Sequence, residues 1–145
     1  MIISDVLKKK GNEVLSVQPN DVACAAIKIF NKKHIGALMV LQNGEIKGLV
    51  SERDVVRKIY SLDGNIKGTL VKEFMTPAEK LITSEKGEKI DVVMNKMTTH
   101  KIRHIPIIDD GKLVGIISIG DIVKAILAIT TAEKEALQDY ISSPY

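Results

Sequence analysis

The chain has 145 residues, 45% of them hydrophobic and 27% charged, with a formal net charge of +3. Those values exclude disorder, because the apolar content suffices to offset the entropy of ordering a core, and so mild a charge argues against a nucleic-acid binder. Only Phe30, Phe74, Tyr60, Tyr140 and Tyr145 are aromatic, so the expected core is aliphatic and a ligand finds no aromatic cage.

In chain order, the opening MIISDVLKKK breaks at Ser4-Asp5, which predicts no signal peptide, and Lys8-Lys9-Lys10 is the one dense basic run. No run of ~18 apolar residues follows that would span a membrane. An apolar segment at 14–17 predicts a strand. Gln18-Pro19-Asn20-Asp21 then predicts a turn, with Asp21 suited to a helix's first turn. Val22, Ala26, Ile29 and Phe30 keep helical spacing. Cys24, inside that helix, reads as a small buried core residue, and a lone cysteine fits a reducing cytosol.

Strands at 37–41 and 46–50 flank Asn43-Gly44, a dipeptide that suits a type I′ hairpin turn, and a helix over 54–60 closes the unit. Residues 61–80, with Gly64, Gly68 and Pro77, form a connector that holds a helical turn across 71–75. The same order then recurs. A strand at 81–83 leads through a turn to a helix carrying Ile90, Val93, Met94 and Met97; strands at 105–108 and 113–117 flank Asp110-Gly111, and a helix covers 121–129. Thr130-Thr131-Ala132-Glu133 reads as a capping box opening a last helix over 130–145, whose Leu137, Tyr140 and Ile141 suit core packing or a dimer contact.

The recurrence is a duplication. Residues 14–59 overlay 81–126 at an offset of 67 without a gap. Ile35/Ile102, Gly44/Gly111, Gly48/Gly115, Ser51/Ser118, Asp54/Asp121, Val56/Val123 and Ile59/Ile126 are then identical. The expected fold is α+β, with two β-α-β-β-α repeats and a C-terminal helix. Its parts are 1–60 (first repeat with its lead-in), 61–80 (connector), 81–129 (second repeat) and 130–145 (last helix). One such unit is too small for a core of its own, so the two are expected to pack together.

The repeated endings, Gly48-Leu49-Val50-Ser51-Glu52-Arg53-Asp54 and Gly115-Ile116-Ile117-Ser118-Ile119-Gly120-Asp121, each put a hydroxyl at a strand's end and a carboxylate at a helix start. First-turn amides and the helix dipole favour an anion such as phosphate, to which the serine adds a hydrogen bond. An ionised aspartate suits a ribose 2′,3′-diol. Phosphate plus ribose indicates a nucleotide. The competing reading is an ordinary N-cap in each copy.

These paired units, with GLVSERDVVRK from Gly48 and RHIPIID from Arg103, resemble a tandem cystathionine β-synthase (CBS) domain pair, over nearly the whole chain. The resemblance implies two repeats packed about a pseudo-twofold axis, with two clefts between them for adenosine-containing ligands: AMP, ADP, ATP, S-adenosylmethionine or NAD-type molecules. It implies ribose contact for Asp54 and Asp121 and phosphate contact for Ser51 and Ser118. His34, Ile35, Gly36 and Ala37, and Lys101, Ile102, Arg103, His104 and Ile105, would line the clefts, as would Ser16, Val17, Thr83 and Ser84. It further implies homodimers formed through helices, for which the faces around Val56, Ile59, Val123 and Ile126 are candidates.

The copies differ in chemistry. Arg103 can fork onto a phosphate where Gly36 offers only backbone, so the Ser118–Asp121 site is expected to bind the anionic ligand more tightly. With so few aromatics, adenine would lie between Val17, Ile35, Ile102 and Ile105. The reading is therefore a cytoplasmic, non-catalytic sensor needing no cofactor, with an adenosyl ligand as effector and a second subunit or effector protein as partner. No metal site is expected, since His100 and His104 lack an evident third ligand. No nucleophile elbow or Gly-x-x-x-x-Gly-Lys loop supports catalysis. A nucleic-acid face built on Lys8, Lys9, Lys10, Lys32, Lys33 and the group from His100 to His104, or an interaction module with empty clefts, are the alternatives.

Overall fold

The computed structural model describes residues 1–11 and 13–142. The chain opens with helix α1 (Ile3–Lys10). Strand β1 (Ser16–Val17), helix α2 (Ala23–Lys33), the hairpin β2 (Ala37–Gln42) and β3 (Glu45–Ser51), and helix α3 (Glu52–Ser61) make the first repeat. A 3₁₀ turn at Val71–Glu73 leads into β4 (Thr76–Pro77) and a second turn at Ala78–Lys80. The second repeat comprises α4 (Ile90–His100), the hairpin β5 (His104–Asp109) and β6 (Lys112–Ser118), and α5 (Ile119–Ser142). Mixed α+β architecture with two strand–helix repeats and a C-terminal helix is thus what the chain adopts.

Both hairpins turn as their dipeptides require. Asn43 and Gly44 have φ of 52° and 78°, and Asp110 and Gly111 have 50° and 73°, the left-handed pair that a type I′ turn demands. Their registers match through the duplication, Ala37 opposite Ser51 and His104 opposite Ser118, with a bulge between Val40 and Leu41 and again between Ile107 and Ile108.

Two compact units result, one running from residue 13 to 82, the other made of what precedes and follows that stretch. Each joins the body of one repeat to the lead-in of the other. In the discontinuous unit, Ile3 N–H donates to Glu88 O (2.9 Å) and Ser4 N–H to Lys86 O (2.8 Å). In the 13–82 unit, Val71 N–H donates to Asp21 O (2.8 Å) and Lys72 N–H to Pro19 O (3.0 Å). Residues 1–7 and 69–75 are therefore counterparts, and each buries an isoleucine or valine (Ile3, Val71) in the core it joins. The 13–82 core gathers Val17, Phe30, Leu38, Val40, Val50 and Val71; in the other unit Val93, Ile105, Ile107, Ile117 and Ile122 are buried.

Three expectations need correction. Cys24 is exposed. Ala23, Ala26 and Phe30 set the buried line of α2, and Cys24 lies about 100° of turn away from Ala23. Residues 81–83 form no strand; the counterpart of β1 is reduced to one parallel bridge, Ser84 with Ile107. Nor does a separate helix start at Thr130. Helix α5 runs through because no Gly or Pro stands between Asp121 and Ser142, and the Thr130 hydroxyl donates back to Ile126 O (3.0 Å) instead of capping. Residues 143–145, the end of the expected helix, lie outside the described residues.

Candidate functional site

Each Ser–Asp ending folds into the same reciprocal cap. Ser51 terminates β3 with extended backbone (φ −112°, ψ 164°) and caps α3. Its N–H donates to Asp54 Oδ2 (2.9 Å), its Oγ donates to the same oxygen (3.0 Å), and Asp54 N–H donates to Ser51 Oγ (3.2 Å). In the other unit Ser118 N–H donates to Asp121 Oδ2 (2.8 Å) and Asp121 N–H to Ser118 Oγ (3.1 Å). The preceding loop closes over both junctions alike: Glu52 N–H donates to Gly36 O (3.0 Å) and Ile119 N–H to Arg103 O (2.9 Å). Amides that would otherwise attract an anion are thus partly committed. What each junction still offers is a carboxylate, which accepts up to about four hydrogen bonds, beside a serine hydroxyl.

Lys10 breaks the symmetry. Its Nζ donates to Asp121 Oδ2 (2.7 Å) and to the backbone carbonyl of Ile116 (2.6 Å). The difference originates in the lead-ins. Residues before proline disfavour helix, so Thr76-Pro77 extends as β4 and pairs with Gly48 and Leu49 on β3. The lead-in of the other unit has lysines at 8–10 and stays helical. Among the described residues β6 has β5 as its only strand partner. Lys10 therefore serves the carbonyl of Ile116, whereas strand β4 lies alongside the duplicated position, Leu49.

Burial pushes the Asp121 carboxyl up, but the Lys10 ammonium and the Ser118 donors outweigh it and hold it below the ordinary carboxylate value. A carboxyl depressed on folding contributes stability above its unfolded pKa of about 4 and loses it as pH falls through the lower folded value. Lys10→Met is accordingly expected to cost stability near neutral pH and progressively less below about pH 4. Thermal melts of both proteins across that range check this; a gap that stays constant or widens with acid contradicts it.

The remaining predicted residues divide among several places. His34 and Lys101 both end their helices in the left-handed region (φ 54° and 55°), at duplicated positions. His34, Ile35 and Gly36 line a groove of about 670 Å³ in the 13–82 unit together with Glu52, Val55 and Val56. Ser51 and Asp54 are not among its walls. Val17, Ala37 and Ile105 bury their side chains in the cores, while Ser16 and Arg103 are exposed, and Ile102 and His104 half-buried.

Thr83 and Ser84 are tied by Lys96, whose Nζ donates to Thr83 O (3.0 Å), Ser84 Oγ (3.0 Å) and both Glu88 oxygens (3.0 and 2.8 Å). Burial pushes Glu88 up, but that ammonium and its backbone donor hold it down overall. Sequence reasoning missed both Lys10 and Lys96. For Lys96 a signal existed, a lysine where the first copy has Ile29 at the duplicated position.

With two copies of one unit, each closed by a Ser–Asp cap, the chain belongs to the CBS domain family, whose domain matches residues 3–61 and 71–128. It is 37% identical to the CBS domain-containing protein CBSX3, mitochondrial, of Arabidopsis thaliana, over 99% of this chain and 73% of that one. A solved CBS-domain protein from Burkholderia ambifaria superposes with a TM-score of 0.83 at 40% identity, covering 88% of this chain and 95% of that one. The CBS domain pair of MJ0100, solved in complex with 5-methylthioadenosine and S-adenosyl-L-methionine, gives 0.75 at 25% identity, covering 88% and 97%. No helix among the described residues is long and apolar enough to cross a membrane.

Proposed function

We propose that this chain is a non-catalytic regulatory module that binds an adenosine-containing ligand at its Ser–Asp junctions and reports the bound state to a partner. The observation that carries this reading is the repetition: two helix starts 67 residues apart present the same carboxylate–hydroxyl pair, closed by the same loop carbonyl. The adenosyl ligands in the MJ0100 complex support it. In each site the aspartate receives the ribose diol and the serine adds a bond to phosphate, with Arg103 as an additional phosphate donor in the second copy. AMP, ADP, ATP, S-adenosylmethionine and NAD-type molecules all carry the required adenosyl ribose.

The reported change is one of relative populations: a ligand that binds one arrangement better shifts the protein towards it. A second copy docking on the helix faces around Val56, Ile59, Val123 and Ile126, or an effector protein in the cytoplasm, receives the signal. Val56 is 65% exposed beside its groove, which suits such a contact. A thermal-shift panel of adenosine, AMP, ATP, S-adenosylmethionine and NAD on ligand-stripped protein tests the reading, because a ligand specific for the folded state raises its stability. At least one member is expected to raise the melting temperature in a dose-dependent way. A flat panel would leave the Ser–Asp pairs as helix caps in an interaction module.

A further inference from the structure

The two lead-ins run alike up to Leu7 and Met75, then part. Each of these counterparts lies against a duplicated glycine: a Cβ at Gly115 would meet Leu7 Cδ2 at 2.6 Å, and one at Gly48 would meet Met75 Sδ at 3.0 Å. After Met75 the chain extends, and Thr76 and Pro77 pair with Leu49 and Gly48. After Leu7 it completes a last helical turn over residues 8–10.

That turn buries nothing. Ile3, Val6 and Leu7 are buried, whereas Lys8, Lys9, Lys10 and Gly11 are all exposed. A helix of 8 residues is too short to persist on propensity alone, so its final turn depends on the contacts it makes. Gly11 N–H donates to Leu7 O (2.8 Å), and Lys10 Nζ holds Asp121 Oδ2 and Ile116 O.

The edge of β6 beside it is shaped for a strand. Ile116 stands opposite Pro106, which has no N–H and turns its carbonyl to Ser84 N–H (3.1 Å). The pair therefore shares no ladder bond, and Ile116 points its N–H and C=O away from β5. Among the described residues no strand lies on that side. At Gly48 the missing side chain leaves room for the backbone oxygen of Thr76, and Gly115 keeps the same freedom.

We infer that residues 8–10 are a latch with two positions: a helical turn while Lys10 grips Asp121, and a strand along β6 once that carboxylate is taken. In the second position Lys8 faces Ile116 and Lys9 faces Gly115, as Thr76 and Pro77 face Leu49 and Gly48. Helical backbone bonds are exchanged for ladder bonds, so the Lys10–Asp121 pair sets the balance. Lysines suit such an edge, because charged side chains keep further chains from pairing with it. The trigger rests on the adenosyl-ligand reading: a ribose at Asp121 displaces Lys10 and shifts the population towards the strand.

NMR of the full chain tests it. Lys8→Thr/Lys9→Pro installs the residues of the other lead-in and supplies the extended reference. Lys10→Met keeps a good helix former but opens the catch, and Asp121→Asn weakens it from the other side. Both should move the Cα shifts of residues 8–10 from the helical side towards that reference, and slow exchange of Ile116 N–H by roughly tenfold or more. Saturating AMP or S-adenosylmethionine should do the same to the natural sequence. Residues 8–10 that stay helical in both variants, or that fray without protecting Ile116 N–H, would overturn the latch. A bound ligand with residues 8–10 still helical would overturn the trigger and spare the ligand reading. Neither ligand binding, beside variants that do extend, would remove that reading and retain the latch.

Discussion

Gly48→Ala is expected to destabilise the 13–82 unit by on the order of 3 kcal/mol, lowering its melting temperature by roughly 10 °C. A Cβ at Gly48 would overlap the backbone oxygen of Thr76 and touch Met75 Sδ at 3.0 Å. Backbone cannot swing aside as a side chain can, and here it is fixed on both flanks by the pairing of Gly48 with Pro77 and Leu49 with Thr76. The duplicated position provides an internal control. At Gly115 the added Cβ meets Leu7 Cδ2 at 2.6 Å, the far end of a flexible side chain. Gly115→Ala is therefore expected to cost less than about 1.5 kcal/mol. Calorimetric melts of the two variants decide the matter: equal losses, or a larger loss at Gly115, would show that the β3–β4 approach does not constrain position 48.

That contrast also marks how far the fold was legible in the sequence. The identity of Gly48 and Gly115 was visible, but not that they face a strand in one unit and a helix in the other. The repeat bodies were legible because their signals are local: Asn43-Gly44 and Asp110-Gly111 dictate their turns, and Ser51 and Ser118 cap helices three residues ahead of an aspartate. The exchange of lead-ins was not, because Ile2 bridges to Lys89 far along the chain and nothing at residues 1–7 announces which repeat they will join. Their likeness to 69–75 becomes visible only once the hydrogen bonds align them at an offset of 68, one residue more than the bodies.

Charge misled in a similar way. Lys8-Lys9-Lys10 reads as a solvated run, and only the helical path of α1 carries Lys10 onto Asp121. The run from Asp121 to Ser142 was divided at Thr130 because a capping sequence was present; an unbroken helical register outweighed it, since a cap is worth about 1 kcal/mol and each interior turn adds its own hydrogen bonds. Cys24 shows the limit of composition: a small apolar neighbourhood in sequence says nothing of helix phase.

The largest functional effect is expected at Asp121. Under the adenosyl-ligand reading, Asp121→Ala should weaken the tighter of two binding steps by tenfold or more, since a hydrogen bond to a charged group contributes about 1.5–3 kcal/mol. Asp54→Ala should weaken the other. Asp121→Asn separates binding from capping, because its amide oxygen still accepts from Ser118 N–H while the charge is gone. Lys10 adds a sign that a capping role alone does not produce. Its ammonium holds the carboxylate oxygen that a ribose hydroxyl would approach, so a neutral ligand such as adenosine competes with it. Lys10→Met should tighten adenosine binding several-fold while tightening AMP less, the loss of a nearby cation offsetting the freed carboxylate. Two-site calorimetric titrations of adenosine and AMP against these variants give the answer. Equal losses for Asp54→Ala and Asp121→Ala would remove the asymmetry, and adenosine affinity unchanged in Lys10→Met would show that ligand and lysine do not meet at Asp121.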